Sequence, residues 1–195
     1  MKYFFLCIFS YLIGGTMLGL AIGYIYYNRD VRNEGSGNLG ATNVARSFGW
    51  TSGVLTLLWD LGKSLAALSL GKRIGAIGVC LSGCFCLIGH CFPCFHRFHG
   101  GKGVAVAAII ALFISWKVFA GALLVFVLAV LLSKRVSVGS VCAASLLGIL
   151  SVVFGQDIPR IILGLFTGCL VIFMHRDNIR RLLKGEEPKF SANRD

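Results

Sequence analysis

The sequence predicts an all-α polytopic membrane protein, and two observations lead to that fold class. Its 195 residues are 56% hydrophobic and only 14% charged, whereas about a quarter of the residues in soluble domains are charged. Residues 3–28 and 136–156 contain no Asp, Glu, Lys, Arg or His, and a helix needs about 20 mainly apolar residues to cross a bilayer. We therefore expect a single integral membrane domain over residues 1–195.

Seven apolar segments are expected to form the transmembrane helices. They cover residues 3–27, 50–70, 74–95, 103–116, 118–133, 136–156 and 159–175. The first segment is too long for a cleavable signal peptide and lacks a small-residue cleavage site, so we count it as a span. The fourth and fifth segments could instead form one helix around Lys117, which would leave six spans.

The distribution of cations decides between these two arrangements. With seven spans and the N-terminus outside, the inner segments hold 13 Lys and Arg residues, Arg194 included, and the outer segments hold 5. Inner loops of membrane proteins carry the excess of cations, and merging two spans would weaken this bias. We therefore predict seven transmembrane helices, an outer N-terminus and a cytoplasmic C-terminus. The same bias explains the net charge of +11 without nucleic acid as a partner.

The stretch GHCFPCFHRFHGGKGVA (89–105) contains the densest set of candidate site residues. Gly100, Gly101 and Gly103 carry no side chains, so their N–H groups can form a concave anion site beside the charge of Lys102. A helix that begins near Gly103 would add its positive N-terminal end. This pattern predicts a phosphate site, although it is not a Walker loop, because Gly103 replaces the Ser or Thr.

Two other interpretations of this stretch involve its cysteines. Cys91 and Cys94, with His90, His96 and His99, resemble half of a zinc finger, but no second cysteine pair follows at finger spacing. A thioredoxin-like redox motif would need a βαβ context that the sequence lacks.

Polar residues of the first inner loop provide a second set of phosphate ligands. Its sequence is GSGNLGATNVARSFGW (35–50), and hydroxyls, amides, glycine N–H groups and an arginine suit an anion with several oxygens. The structural alternative is an ordinary turn followed by a helix capped by Thr42 or Asn43. In the next span Asp60 and Lys63 share a helix face, either as a structural ion pair or with Lys63 reaching the site.

Two later segments complete the candidate site. Ser137 and Ser140 are one helical turn apart, and His175, Asn178 and Arg181 share one face of the tail. A basic amphipathic tail on anionic lipid is the structural alternative for the tail. The inner loops hold many cations and few carboxylates, and they show no Ser-His-Asp order. Such a site suits phosphorylated substrates, for which catalysis means positioning and charge neutralisation.

Other function classes remain open on the residues alone. An anion transporter could use the intramembrane Asp60 and Lys63, although no inverted repeat is visible. A membrane thiol or metal protein could use Cys91 and Cys94.

Three strings resemble the signature motifs of the bacterial acyl-phosphate:glycerol-3-phosphate acyltransferases (the PlsY type). They are SGNLGATNVAR (36–46), GHCFPCFHRFHGGKGVA (89–105) and HRDNIRRLLKGEE (175–187). The resemblance implies seven transmembrane helices in the bacterial cytoplasmic (inner) membrane and an active site facing the cytoplasm. It implies acyl transfer from acyl phosphate to the 1-hydroxyl of glycerol 3-phosphate, giving 1-acylglycerol 3-phosphate (lysophosphatidic acid) and phosphate, in the first committed step of phospholipid synthesis. No cofactor or metal is implied.

The resemblance also implies partners and residue roles. The partners are acyl phosphate, glycerol 3-phosphate and membrane lipids, with the acyl-phosphate-producing enzyme as a candidate protein partner. The implied catalytic residues are His175, Asn178, Lys102 and Ser36, and the resemblance also permits the substrate's own phosphate, in place of His175, to act as the base. The implied substrate- and phosphate-binding residues are Asn38, Thr42, Asn43, Arg46, Lys63, His90, Gly100, Gly101, Gly103, Ser137, Ser140, Arg181 and Glu187. Ser64 and Val106 depart from the family pattern, where glycine and threonine are common.

Overall fold

The computed structural model describes residues 1–189, which contain ten α-helices and no strand. The helices are α1 (Lys2–Gly14), α2 (Leu18–Tyr27), α3 (Ala41–Phe48), α4 (Trp50–Lys72), α5 (Ala76–Cys91), α6 (Val104–Ile114), α7 (Trp116–Ser133), α8 (Val136–Val153), α9 (Ile158–Met174) and α10 (Arg176–Leu183). Short 3-10 turns lie at Val31–Asn33 and Cys94–His96. The all-helical prediction is confirmed, and Arg194, which we counted among the inner cations, lies outside the described residues.

The chain forms two compact units, and the boundary between them falls within α6. The first unit is Met1–Ile110, and the second begins at Ala111. In the first unit, α5 packs against α1 and α4, and α3 packs against α4. In the second unit, α8 packs against α7 and α9. The single-domain expectation stays a prediction.

Five segments are long and apolar enough to cross a membrane, by length and composition. They are Lys2–Tyr27, Trp50–Lys72, Ala76–His96, Trp116–Ser133 and Val136–Val153. A sixth results if α9 and α10, which are bent by 57°, are counted together. With 11 residues, α6 is shorter than the ~20 residues that a straight crossing needs. The chain is therefore a multi-pass helical membrane protein, and the seventh span and the orientation of the termini stay predictions.

The first span is broken between α1 and α2, whereas the apolar run 3–27 had predicted an uninterrupted helix. A helix break leaves backbone groups without helical partners, which is costly in an apolar setting. Here Lys63 Nζ donates to the Thr16 carbonyl oxygen over 2.7 Å, and Trp59 Nε1 donates to the Thr16 hydroxyl over 3.1 Å. Both donors lie on α4, so the second span stabilises the break in the first.

The close packing of α1 against α5 depends on glycines on both helices. A Cβ on Gly14 would overlap the Cys86 carbonyl, and a Cβ on Gly89 would overlap the Tyr11 carbonyl. Small residues allow membrane helices to approach so closely.

Replacing Gly89 by alanine is expected to destabilise the protein by about 1–3 kcal/mol, because the new methyl group forces two backbones apart. The measurement is the apparent Tm of the purified protein in detergent. Gly62→Ala is the matched control, because a Cβ at Gly62 meets no atom within 4 Å. Equal Tm values for the two variants would contradict the proposed packing constraint.

Candidate functional site

The loop between α2 and α3 is organised by the buried side chain of Asn43. Its Oδ1 accepts a hydrogen bond from the Ser36 backbone N–H over 2.8 Å, and its Nδ2 donates to the Glu34 carbonyl over 3.0 Å. The loop bends sharply, with positive φ angles of 55° at Gly35 and 69° at Gly37. Because its amide is occupied by the loop backbone, Asn43 holds the loop in shape, and direct contact of Asn43 with a phosphate stays a prediction.

The other predicted ligands of this loop are more accessible. Ser36 and Thr42 are exposed, and Asn38 and Arg46 are half-buried. Asn38 Oδ1 accepts from the Gly40 N–H over 2.9 Å, which stiffens the turn. The interpretation of Thr42 or Asn43 as a helix cap is wrong, because α3 begins at Ala41 with Gly40 in the N-cap position. The hydroxyl of Thr42 and the guanidinium of Arg46 make no hydrogen bond within residues 1–189.

Three ionisable side chains lie together in the buried part of the first unit. Lys63 Nζ is 2.8 Å from Asp60 Oδ1, and His90 Nδ1 is 3.6 Å from the same oxygen. The side chains of Asp60, Lys63 and His90 are 4%, 1% and 3% exposed. Burying a lone charge is costly, so Asp60 and Lys63 stabilise each other in this position. We call this group the Asp60 cluster.

The glycine turn packs directly on this cluster. The Gly101 N–H donates to the His90 carbonyl over 3.0 Å. A Cβ at Gly101 would overlap the His90 ring at Nε2, and a Cβ at Gly100 would overlap the His90 carbonyl. Gly103 has a φ of +78°, a conformation that favours glycine. The turn therefore needs glycine for both its close approach and its backbone conformation.

The predicted helix start after the glycine turn is confirmed. Helix α6 begins at Val104, directly after Gly103. Lys102 is half-buried, and Gly101 and Gly103 are buried. The turn thus combines glycine N–H groups, a lysine and a helix N-terminus within four residues, which is an arrangement that favours an anion.

The cysteines near the turn do not converge as metal ligands would. Cys91 is buried and Cys94 is exposed. Within residues 1–189, no three His, Cys, Asp or Glu side chains are grouped as a metal site requires.

In the second unit, Glu187 of the tail after α10 binds side chains of both α10 and the start of α8. Its carboxylate accepts from Ser137 Oγ over 2.6 Å, from Asn178 Nδ2 over 2.7 Å and from Arg181 Nε over 2.8 Å. Arg135 Nε donates to the Glu187 carbonyl over 2.9 Å. These contacts bring together four predicted site residues, Ser137, Asn178, Arg181 and Glu187. Ser140 is buried nearby in sequence, but its hydroxyl donates to the Val136 carbonyl of its own helix.

Hydrogen bonding decides the ionisation of Glu187. Burial alone would raise the pKa of its carboxyl, but the donors Ser137, Asn178 and Arg181 and the charge of Arg181 outweigh burial and lower it. A carboxyl with a lowered pKa contributes its stability fully above its usual pKa, and that stability is lost as the pH falls through the lowered value.

Replacing Glu187 by glutamine should therefore reduce the acid sensitivity of the protein. At pH 7 the variant should have a lower apparent Tm than wild type, because Arg181 loses its charged partner. The difference should stay constant down to the usual carboxyl pKa and shrink as the pH falls through the lowered pKa of Glu187, because wild type then loses the same interaction on protonation. Glu186→Gln, at an exposed neighbouring glutamate, is the control; a difference that stays constant with pH would contradict this assignment.

His175 is buried at the junction of α9 and α10. Its Nδ1 lies 2.8 Å from the Val171 carbonyl oxygen. A carbonyl only accepts hydrogen bonds, so Nδ1 carries a proton, and in the neutral form of the ring the lone pair lies on Nε2. That tautomer suits a general base acting through Nε2.

The predicted site residues thus fall into two groups. The first unit contains the loop residues 36–46, Lys63, His90 and the glycine turn, and the second contains Ser137, Ser140, His175, Asn178, Arg181 and Glu187. Asp60 and Arg135 were not among the predicted site residues, and they hold Lys63 and the Glu187 segment. The strings Asp60-Leu-Gly-Lys63 and Arg135-Val-Ser137, which resemble pieces of the same acyltransferase family as the three signature strings, were the signals for them.

Comparison with known proteins gives consistent matches over almost the whole chain. The model of the family "Glycerol-3-phosphate acyltransferase" matches residues 4–185. A glycerol-3-phosphate acyltransferase of Carboxydothermus hydrogenoformans is 33% identical, covering 95% of each chain. One of Syntrophotalea carbinolica is 39% identical over 98% of this chain and 99% of its own.

Solved structures agree with these sequence matches. A crystal structure of PlsY (YgiH), an integral membrane glycerol 3-phosphate acyltransferase in its glycerol 3-phosphate form, superimposes with a TM-score of 0.92 at 35% identity, covering 98% of this chain and 96% of that one. The lysophosphatidic acid form superimposes with a TM-score of 0.89.

Proposed function

The chain belongs to the glycerol-3-phosphate acyltransferase family, and from that premise we propose that it acylates glycerol 3-phosphate at the 1-hydroxyl with acyl phosphate as donor. The products are 1-acylglycerol 3-phosphate (lysophosphatidic acid) and inorganic phosphate. The reaction opens phospholipid synthesis and needs no cofactor. The observation that carries the proposal is the glycine turn, in which Lys102 and the N–H groups of Gly100 and Gly103 precede the N-terminus of α6, while the Gly101 N–H binds the His90 carbonyl and holds the turn in place.

Acyl phosphate suits this turn because it is a mixed anhydride whose leaving group is a phosphate. The glycerol hydroxyl attacks the acyl carbon, a new C–O ester bond forms, and the bond between the acyl carbon and the phosphate oxygen breaks. Negative charge grows on the departing phosphate, so fixed N–H donors and Lys102 stabilise the transition state more than the ground state. No covalent intermediate with the protein is required.

The remaining roles are assigned residue by residue. We assign Ser36, Asn38, Thr42 and Arg46 to the phosphate of glycerol 3-phosphate. His175 Nε2 takes the hydroxyl proton, and Asn178, held by Glu187 over 2.7 Å, orients a reacting group. Lys63 and His90 act through the Asp60 cluster, as positioning residues for the glycine turn.

The proposal includes a location in the cell. We place the protein in the bacterial cytoplasmic membrane with seven spans, an outer N-terminus and its site facing the cytoplasm, where glycerol 3-phosphate is produced. The cation bias of the loops supports this orientation. The enzyme that produces acyl phosphate is the proposed protein partner, since an amphiphilic donor is best delivered at the membrane.

The deciding experiment compares acyl donors with the purified protein in detergent. Labelled glycerol 3-phosphate is supplied with palmitoyl phosphate, palmitoyl-CoA or palmitoyl carrier protein, each with and without EDTA. We expect lysophosphatidic acid from palmitoyl phosphate alone, unaffected by EDTA. Product from the thioester donors only would overturn the donor assignment, and no product from any donor would overturn the proposed function.

A further inference from the structure

A cavity of about 430 Å³ lies in the first unit, between α2 and the turn that follows α5. Its volume is within the range of small-molecule sites, about 300–1,000 Å³. Met17 and Leu20 contribute an apolar lining, whereas Arg32 and Arg97 contribute cations. None of these four residues has a role in the proposed acyl transfer.

The cavity lies where two spans end. Helix α2 completes the span Lys2–Tyr27, and the turn Cys94–His96 completes the span Ala76–His96. The aromatic side chains of Tyr24 and Phe95 line the cavity and are 49% and 60% exposed. Exposed aromatic rings at span ends are typical of the membrane–water interface, so a lipid tail can reach the cavity from the bilayer.

Arg32 is held in a fixed orientation at the cavity. Its Nε and Nη2 donate to the Asp30 carboxylate over 3.0 and 2.7 Å, and Nη2 also donates to Tyr24 Oη over 3.0 Å. The hydrogen bonds from Arg32 keep the pKa of Asp30 well below its usual value. The third nitrogen, Nη1, makes no hydrogen bond within residues 1–189, so a pre-oriented donor remains for a ligand.

Arg97 adds a charge that no carboxylate within residues 1–189 neutralises. It is exposed and has a φ of +54°, and the following Phe98 has a φ of +59°. Two consecutive non-glycine residues in this region are unusual, and such strained conformations concentrate at functional sites. The His99 side chain supports the turn, because its Nδ1 donates to the Arg97 carbonyl over 2.7 Å.

We propose that this cavity binds the phosphomonoester head of a single-chain amphiphile, with Arg97 and Arg32 Nη1 on the phosphate and the first methylenes against Met17 and Leu20. Guanidinium groups match phosphate geometry, and the apolar part of the lining suits the first methylenes of a chain. Two amphiphiles share this chemistry, a fatty acyl phosphate bound here before it reaches the glycine turn and lysophosphatidic acid bound here after transfer. The binding of a phosphomonoester head here does not depend on the proposed function. Only the identification of these two amphiphiles as the donor and the product rests on it.

The test is photolabelling of the purified full chain, without glycerol 3-phosphate, by an alkyl phosphate that carries a diazirine near its head. We expect label in the peptide that contains Met17–Tyr24 or at Phe95. Arg97→Asn should reduce that label about tenfold at a subsaturating concentration. Asparagine tolerates a positive φ, so this variant should fold, and the Tm and elution volume check that it does.

Lys134→Asn is the matched control, because Lys134 is also exposed and has a φ of +55°. It should label like wild type. Label only outside the cavity, or equal label in the Arg97→Asn variant, would overturn the proposal.

Competition identifies the source of the phosphate head. Displacement of the label by palmitoyl phosphate indicates the donor, and displacement by lysophosphatidic acid indicates the product; either result supports the site. The proposal would be overturned if inorganic phosphate at the same concentration displaced the label, or if only the uncharged long-chain alcohol did so. Labelling involves no turnover, so an inactive protein that still labels at the cavity would contradict the proposed function and leave this site intact.

Discussion

Replacing Gly101 by alanine is expected to reduce acyl transfer about a hundredfold while leaving the protein folded. The alanine Cβ would overlap the His90 ring at Nε2. His90 has little room to move, because it is 3% exposed and its Nδ1 faces Asp60. The turn must therefore shift away from α5, and Lys102 moves with it. A displacement of about 1 Å in a catalytic group can lower a rate about a hundredfold.

The measurement is kcat for acyl transfer from palmitoyl phosphate, together with the apparent Tm. Gly62→Ala is the control, since it adds the same methyl group where no atom lies within 4 Å. The double variant His90→Ala with Gly101→Ala tests the cause, because removal of the ring makes room for the methyl group. Coupling of the two changes supports steric displacement, whereas strictly additive effects would show that Gly101 acts otherwise.

The fold was predictable from the sequence to the extent that apolar runs mark helices. Each of the seven predicted segments contains an α-helix, but the break after Gly14 was not predicted. Hydropathy averaged over the run does not reveal such a break, although Gly14, Gly15 and Thr16 are weak helix formers. The donors that stabilise it, Trp59 and Lys63, come from another helix.

The candidate site was predictable in its composition and less so in its contacts. Asn43 illustrates the difference: an amide in a polar loop suggested a phosphate ligand, yet both ends of the amide bind loop backbone. The spacing of Asp60 and Lys63 predicted their pairing, which the structure confirms. The partner of Ser137, by contrast, lies 50 residues away at Glu187, and no local pattern encodes a hydrogen bond of that range.

The Asp60 cluster lies between the break in the first span and the glycine turn of the candidate site. Lys63 has its ammonium within 2.7 Å of the Thr16 carbonyl and 2.8 Å of Asp60, so its charge serves the broken first span. His90 extends from the same carboxylate to the glycine turn. One buried carboxylate thereby pairs with Lys63, which supports the helix break, and lies 3.6 Å from His90, on which the glycine turn packs.

Replacing Asp60 by alanine should consequently destabilise the protein by about 3–5 kcal/mol, because it leaves the ammonium of Lys63 buried without its carboxylate. The apparent Tm in detergent should fall by on the order of 10 °C. The control is Asp177→Asn, which breaks an i, i+3 ion pair with Arg180 whose side chains are 56% and 71% exposed. An exposed pair contributes at most about 1 kcal/mol, so this Tm should barely change.

A second variant separates the lost ion pair from the lost packing. The double replacement Asp60→Leu with Lys63→Met removes both charges at similar volume, and such replacements are often neutral for stability. The double variant should recover most of the Tm lost in Asp60→Ala. It should not recover all of it, because a methionine at that position cannot donate to the Thr16 carbonyl as Lys63 does, and that hydrogen bond contributes about 1–3 kcal/mol. Acyl transfer should be low in both Asp60→Ala and the double variant, because His90, on which the glycine turn packs, no longer faces a carboxylate. A double variant with full activity would show that the cluster serves stability alone.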